Sequence, residues 1–141
     1  MNKFSKTSLM RLNECHQDLI TLFNEVIKEF DCTICVGHRG EADQNKAFEQ
    51  GLSQKRYPNS KHNKTPSLAV DVAPYSKKIG NIDWNNKNLM YYFAGYVLGV
   101  AYRLKKAGKI SHDIICGADW NNDRDIADQK LIDINHFEIK L

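Results

Sequence analysis

Four side chains, His62, Asp71, Asp133 and His136, are of the types and in the order from which a chain can build a catalytic metal site. Two imidazoles and one carboxylate fill three positions on a zinc ion and leave the fourth for water, and a further acid beside them is a ready proton acceptor. A structural zinc site would close all four positions instead. Hydrolysis is the chemistry that such a set suggests, and cobalt or nickel could fill the same ligands.

Each of these residues needs an element to hold it. The segment Leu68 to Ala73 alternates, so that Leu68, Val70 and Val72 share one face of a strand while Ala69, Asp71 and Ala73 share the other. Asp71 is thereby flanked by two small side chains that leave space above the sheet. In the closing stretch, Phe137, Ile139 and Leu141 face a core and His136 points to the opposite side. His62 falls in the polar stretch from Ser53 to Pro66, a surface loop broken by Pro58 and Pro66. Asp133, three residues before His136, would point the wrong way in a continuous strand. We therefore expect it in the preceding turn, reaching back to the site.

The remaining elements form the scaffold. Leu9, Leu12, Leu19, Leu22, Phe23, Val26, Ile27 and Phe30 recur at helical spacing and predict one amphipathic helix from Ser8 to Phe30. Cys32 to Val36 reads as a strand, ended by the turn Gly37-His38-Arg39-Gly40, and a more polar helix follows from Glu41 to Leu52. The stretch Lys87 to Lys106 predicts a buried helix, in which Gly95 and Gly99 would let a neighbour approach closely. Asp113 to Cys116 is a short strand. The expected fold is α+β, a small and mainly antiparallel sheet flanked by helices, forming a single domain over residues 1–141.

Composition limits the alternatives. The 141 residues suffice for one core, and 42% hydrophobic with 26% charged residues is ordinary for a globular chain. A net charge of +3 is too small and dispersed to argue for nucleic acid, and a monomer is expected. No apolar run is long enough to insert in a membrane, and the first residues carry charges where a signal peptide would be apolar, so synthesis in a cytoplasm is expected. Cys15, Cys32, Cys35 and Cys116 read as reduced, packed thiols. Cys32 and Cys35 form a CxxC, but no second pair completes a zinc set.

The segment Ser60-Lys61-His62 to Ala69-Val70-Asp71 and the ending Asp133-Ile134-Asn135-His136-Phe137-Glu138 resemble the zinc D-amino-acid-specific peptidases, which include D,D-carboxypeptidases and the L-alanyl-D-glutamate endopeptidases used by phages as endolysins. The resemblance extends to FSKTSLMRLNECHQDL, GHRGEADQNKAFEQG and YYFAGYVLGVAY, and is greatest to the phage branch. One departure is the spacing between His62 and Asp71, which is longer than the commoner family pattern.

The resemblance implies roles. His62, Asp71 and His136 would hold zinc, Asp133 would act as base, and Arg39 would stabilise the oxyanion, a structural ion-pair partner being the alternative reading of Arg39. Gln44 would help to position substrate or water. The substrate implied is bacterial peptidoglycan, cut between L-alanine and D-glutamate by an endolysin that builds up in the host cytoplasm and meets the wall once another protein opens the membrane. A D,D-carboxypeptidase is the alternative within the enzyme class, and a non-catalytic zinc-containing wall-binding module is the alternative outside it. His16, His38 and His112 read as surface or packing residues. Lastly, Asp119, Asn121, Asp123 and Asp125 place oxygens at alternate positions, as in the first half of a calcium-binding EF-hand loop, and Asp128 could close the shell. Arg124 and Lys130 replace the glycine and glutamate of that pattern, and a solvated acidic loop is the competing reading.

Overall fold

The computed structural model describes residues 2–141. Four helices, α1 (Lys6–Asn13), α2 (Gln17–Glu29), α3 (Glu41–Glu49) and α4 (Lys87–Lys106), surround four strands, β1 (Cys32–Val36), β2 (Ala69–Pro74), β3 (Ile114–Gly117) and β4 (Asp133–Ile139). The strands pair antiparallel in the order β1-β2-β4-β3. The fold is thus α+β, as the alternation and helical spacing implied.

One face of the sheet carries the core. Val70, Val72, Phe137 and Ile139 are fully buried there, beneath Leu19, Leu22, Phe23 and Val26 of α2 and Phe93, Val97 and Val100 of α4. The Phe137 ring meets Phe23 edge-on at 5.4 Å and Phe93 at 6.2 Å, a favoured geometry for aromatic pairs. Leu141, expected on this face, lies beyond β4 and is 82% exposed.

Three further expectations are corrected. The single helix from Ser8 to Phe30 is two helices, because the chain between them pairs with the loop before β2. The His16 amide donates to Ser67 O at 2.8 Å, the Ser67 amide to Glu14 O at 2.9 Å, and the His16 ring caps α2 by accepting from the Asp18 amide at 3.0 Å. Helix α4 is buried on one face only, with Tyr92 and Tyr102 exposed. Gly95 and Gly99 admit no close neighbour, since a Cβ at either would meet nothing within 4 Å. They border a groove of about 430 Å³ between α4 and β3.

Asp133 is the first residue of β4 rather than part of the turn before it. It escapes strict alternation because the β3/β4 register slips: Cys116 pairs with Phe137, but Gly117 pairs with Asp133. The extra residues of β4 bulge and re-aim Asp133 toward the face that holds His136. Gly117 permits this approach, because a Cβ there would overlap the Asp133 carbonyl oxygen. Gly117→Ala should therefore cost about 1–3 kcal/mol of stability, the range for overpacking. Denaturant melts of the two proteins check the effect.

Candidate active site

The face of the sheet opposite the core gathers the residues picked out from sequence. Asp71 and His136 are directly paired across β2 and β4, which places their side chains on one face, as opposed residues must be. His62 arrives from a single 3₁₀ turn, Lys61–Asn63, capped reciprocally by Ser60 and Asn63. The longer spacing before Asp71 is absorbed by the loop after this turn. Its Lys61 carbonyl accepts from the Leu68 amide at 3.1 Å.

The donor atoms converge on one point. His62 Nε2 lies 3.1 Å and His136 Nδ1 3.2 Å from the same Asp71 oxygen, Oδ1. The far nitrogen of each ring is also engaged: His62 Nδ1 is 2.8 Å from Gly37 O, and His136 Nε2 is 2.9 Å from Glu138 Oε1. Those acceptors call for a hydrogen on the far nitrogen, so in the neutral rings the near nitrogen carries a lone pair aimed at the common point. Both histidines are buried, and the three ligand atoms lie within 4.8 Å of one another. This donor set fits a divalent ion of the zinc type, with room left for a fourth ligand.

The electrostatics agree with that fit. Burial raises the Asp71 pKa, but hydrogen bonds and charge from His136 and His62 outweigh it and hold the carboxyl well below the usual range. For His136 burial acts downward, and its hydrogen bonds to Asp71 and Glu138 prevail, pushing the pKa up to about 9. Asp133 lies at the rim with its side chain half exposed, its Oδ2 4.0 Å from His136 Nδ1. Burial of its inner side and the Asp71 charge raise its pKa, the direction that makes a carboxylate a better base.

Arg39 stands across Asp71, with Nη2 3.8 Å from Oδ2, and its amide donates to His62 O at 2.8 Å. Gln44 does not face the cleft. It is 0% exposed, and its Oε1 accepts from Arg39 Nη1 at 3.3 Å and Asn63 Nδ2 at 3.1 Å while its Nε2 donates to Lys55 O at 2.6 Å. The help expected of Gln44 in placing substrate or water would act through Arg39, which it braces. Residues not singled out from sequence also shape the site, which is a cleft of about 490 Å³. Trp120 walls it, its ring 5.3 Å from that of His136 and its Nε1 bound to Leu131 O at 2.8 Å. Gly37, Lys61 and Glu138 hold the histidines; Lys61 and Glu138 stand one and two residues from a ligand, which could have marked them, whereas Gly37 carries no such signal.

A second group, His16, Asp18 and His112, also brings three ligand atoms within 4.8 Å. Its atoms are already committed elsewhere. Asp18 Oδ2 accepts from the amides of Ser111 and His112 at 3.0 and 3.1 Å and from the His112 ring at 2.8 Å, while the His16 ring caps α2. Backbone N–H groups aimed at a carboxylate suit an anion at a helix start rather than a cation. This group is a clasp between α2 and the approach to β3.

The acidic loop satisfies its own backbone. Asp119 accepts from the amides of Asp123 and Arg124, Asp123 from that of Asp125, and Asp125 from that of Ala127, at 3.3, 2.8, 2.8 and 2.9 Å. The four thiols are free, and burial pushes those of Cys15, Cys35 and Cys116 up to about 12, 11 and 12, so none is a ready thiolate ligand.

The sequence matches the family model of the phage L-alanyl-D-glutamate peptidases over residues 1–140. The chain belongs to that family. Membership makes it a peptidase by descent, and the fold agrees. The crystal structure of the Serratia marcescens L-Ala D-Glu endopeptidase ChiX superposes with a TM-score of 0.70 at 19% identity, covering 99% of this chain and 91% of that one. Among curated proteins none matches. Among the described residues, no helix is long and apolar enough to cross a membrane.

Proposed function

We propose that this peptidase is a zinc enzyme that hydrolyses the L-alanyl-D-glutamate bond of peptidoglycan stem peptides and serves a phage as its endolysin. The observation that carries the reading is the convergence of His62 Nε2 and His136 Nδ1 on Asp71 Oδ1 at the floor of a cleft. Zinc, when bound by these three residues, supplies Lewis-acid polarisation and a water of lowered pKa.

The protein's own groups do the rest. Asp133, at the rim beside His136, takes the proton of the attacking water as its oxygen adds to the peptide carbonyl. It returns that proton to the amine as the C–N bond breaks. Arg39, fixed by Gln44, offers a guanidinium to the oxygen on which charge develops, where a preplaced donor acts without reorganisation. Trp120 gives the substrate a flat wall and limits water on that side. A half-exposed acid with a raised pKa at the rim favours catalysis over the wall-binding module, which needs no base.

Digestion of purified peptidoglycan followed by mass spectrometry is the test. New N-terminal D-glutamate, lost after chelation and restored by zinc, is the expected result. Release of terminal D-alanine would instead establish the D,D-carboxypeptidase, and intact stem peptides would leave only the binding module. Calcium at Asp119, Asn121, Asp123, Asp125 and Asp128 is a separate claim supported by oxygen spacing alone. The same digestion and a melting curve, unchanged across a calcium titration, would remove it.

A further inference from the structure

We propose that Glu138 and Lys61 form a positioning pair that fixes the metal-facing tautomer of His136 and ties the loop carrying one metal ligand to the strand carrying another. The proposal rests on the reading of His62, Asp71 and His136 as a metal site.

The geometry begins in β4. Residues two apart on a strand share a face, so Glu138 sits beside His136 on the cleft side. A carboxylate only accepts, so the 2.9 Å contact of Glu138 Oε1 with His136 Nε2 places the ring hydrogen on Nε2. The nitrogen left to give up its hydrogen to an ion is then Nδ1, which faces Asp71 Oδ1. Without Glu138 the neutral ring would be free to carry its hydrogen on Nδ1 and block the ion. A carboxylate behind a ligating histidine raises its basicity and holds its orientation, and loss of such a partner typically weakens metal binding about 10–100-fold.

Lys61 completes the arrangement. Its Nζ donates to the other Glu138 oxygen, Oε2, and to the Ile139 carbonyl, both at 2.6 Å. Lys61 is the residue before His62 in the same 3₁₀ turn. A closed circuit results, from His62 through Lys61 and Glu138 to His136 and back through Asp71. An exposed Lys–Glu pair contributes little, but here the side chains are only 25% and 14% exposed and the lysine has a second, backbone acceptor.

The test compares zinc affinity, by competition with a chromophoric chelator, in wild type, Glu138→Ala, Glu138→Gln, Lys61→Met and Asp71→Ala. A long-range ¹H–¹⁵N spectrum of the metal-free proteins, taken above the pH at which the His136 ring becomes neutral, reads its tautomer. We expect Glu138→Ala to bind zinc about 10–100-fold more weakly and to populate the Nδ1–H form. Glu138→Gln, whose side-chain oxygen still accepts from Nε2–H but whose amide N–H groups then face Lys61, should keep the wild-type tautomer and lose affinity no more than Lys61→Met, and melting curves of the metal-free variants show whether each is folded. Lys61→Met should fall between them. Wild-type affinity and tautomer in Glu138→Ala, with zinc binding still abolished by Asp71→Ala, would overturn the pair alone. Absence of zinc binding by the wild type would overturn the metal site itself.

Discussion

Asp133→Asn lowers kcat/KM for stem-peptide hydrolysis by about 10²–10⁴-fold, the usual worth of a positioned general base, while zinc content stays at the wild-type level. Two observations set this expectation. The Asp133 carboxylate is half exposed, and among the described residues its only ion-pair contact is the 4.0 Å approach to His136 Nδ1, so asparagine fits the same place at little cost in stability. Yet burial of its inner side and the charge of Asp71 raise its pKa, matching it to proton transfer. The split between rate and metal content separates a base from a fourth ligand: a ligand would take the zinc with it. A variant that hydrolysed at the wild-type rate would sink the mechanism and revive the binding module.

What could be read from the sequence divides along physical lines. Strands β1 and β2 and helix α4 were legible because apolar periodicity reports which side of an element is buried, and Asp71 and His136 fell on the free face for the same reason. The break between α1 and α2 was not legible, since the apolar spacing continues through Glu14 to His16 and only the tertiary pairing with Ser67 interrupts it. Asp133 was placed in a turn because alternation forbids it a place in the site. The register slip opposite Gly117 lifts that prohibition, and a slip is set by the partner strand rather than by local residue types. Gln44 was named through the resemblance alone, and its full burial behind Arg39, which makes it a brace, depends on tertiary packing that local residue types do not report. Gly95 and Gly99 show the reverse case, small residues that face a groove rather than a neighbour.

Asp71→Ala has the larger expected effect on metal binding, abolishing zinc retention and activity together. Its loss exceeds the about 10–100-fold that an outer partner costs, because both imidazoles are organised around this carboxylate oxygen. The metal-free protein shows why pH is the sharper readout. His136 is raised to about 9 in the folded state from 6.5, so its contribution is complete below the unfolded value and is lost as pH rises through about 9. Asp71 is shifted the other way. Its contribution is complete above the ordinary aspartate value and is lost only as pH falls through its depressed one. Zinc requires the same Nδ1 that the proton occupies, so ion and proton compete, and metal uptake must release protons. The increment in melting temperature produced by zinc should therefore grow from about pH 6 to about pH 9 in the wild type. In Asp71→Ala it should be absent throughout. A zinc increment that ignored pH, or one that survived in Asp71→Ala, would show that the ion sits elsewhere than between His62, Asp71 and His136.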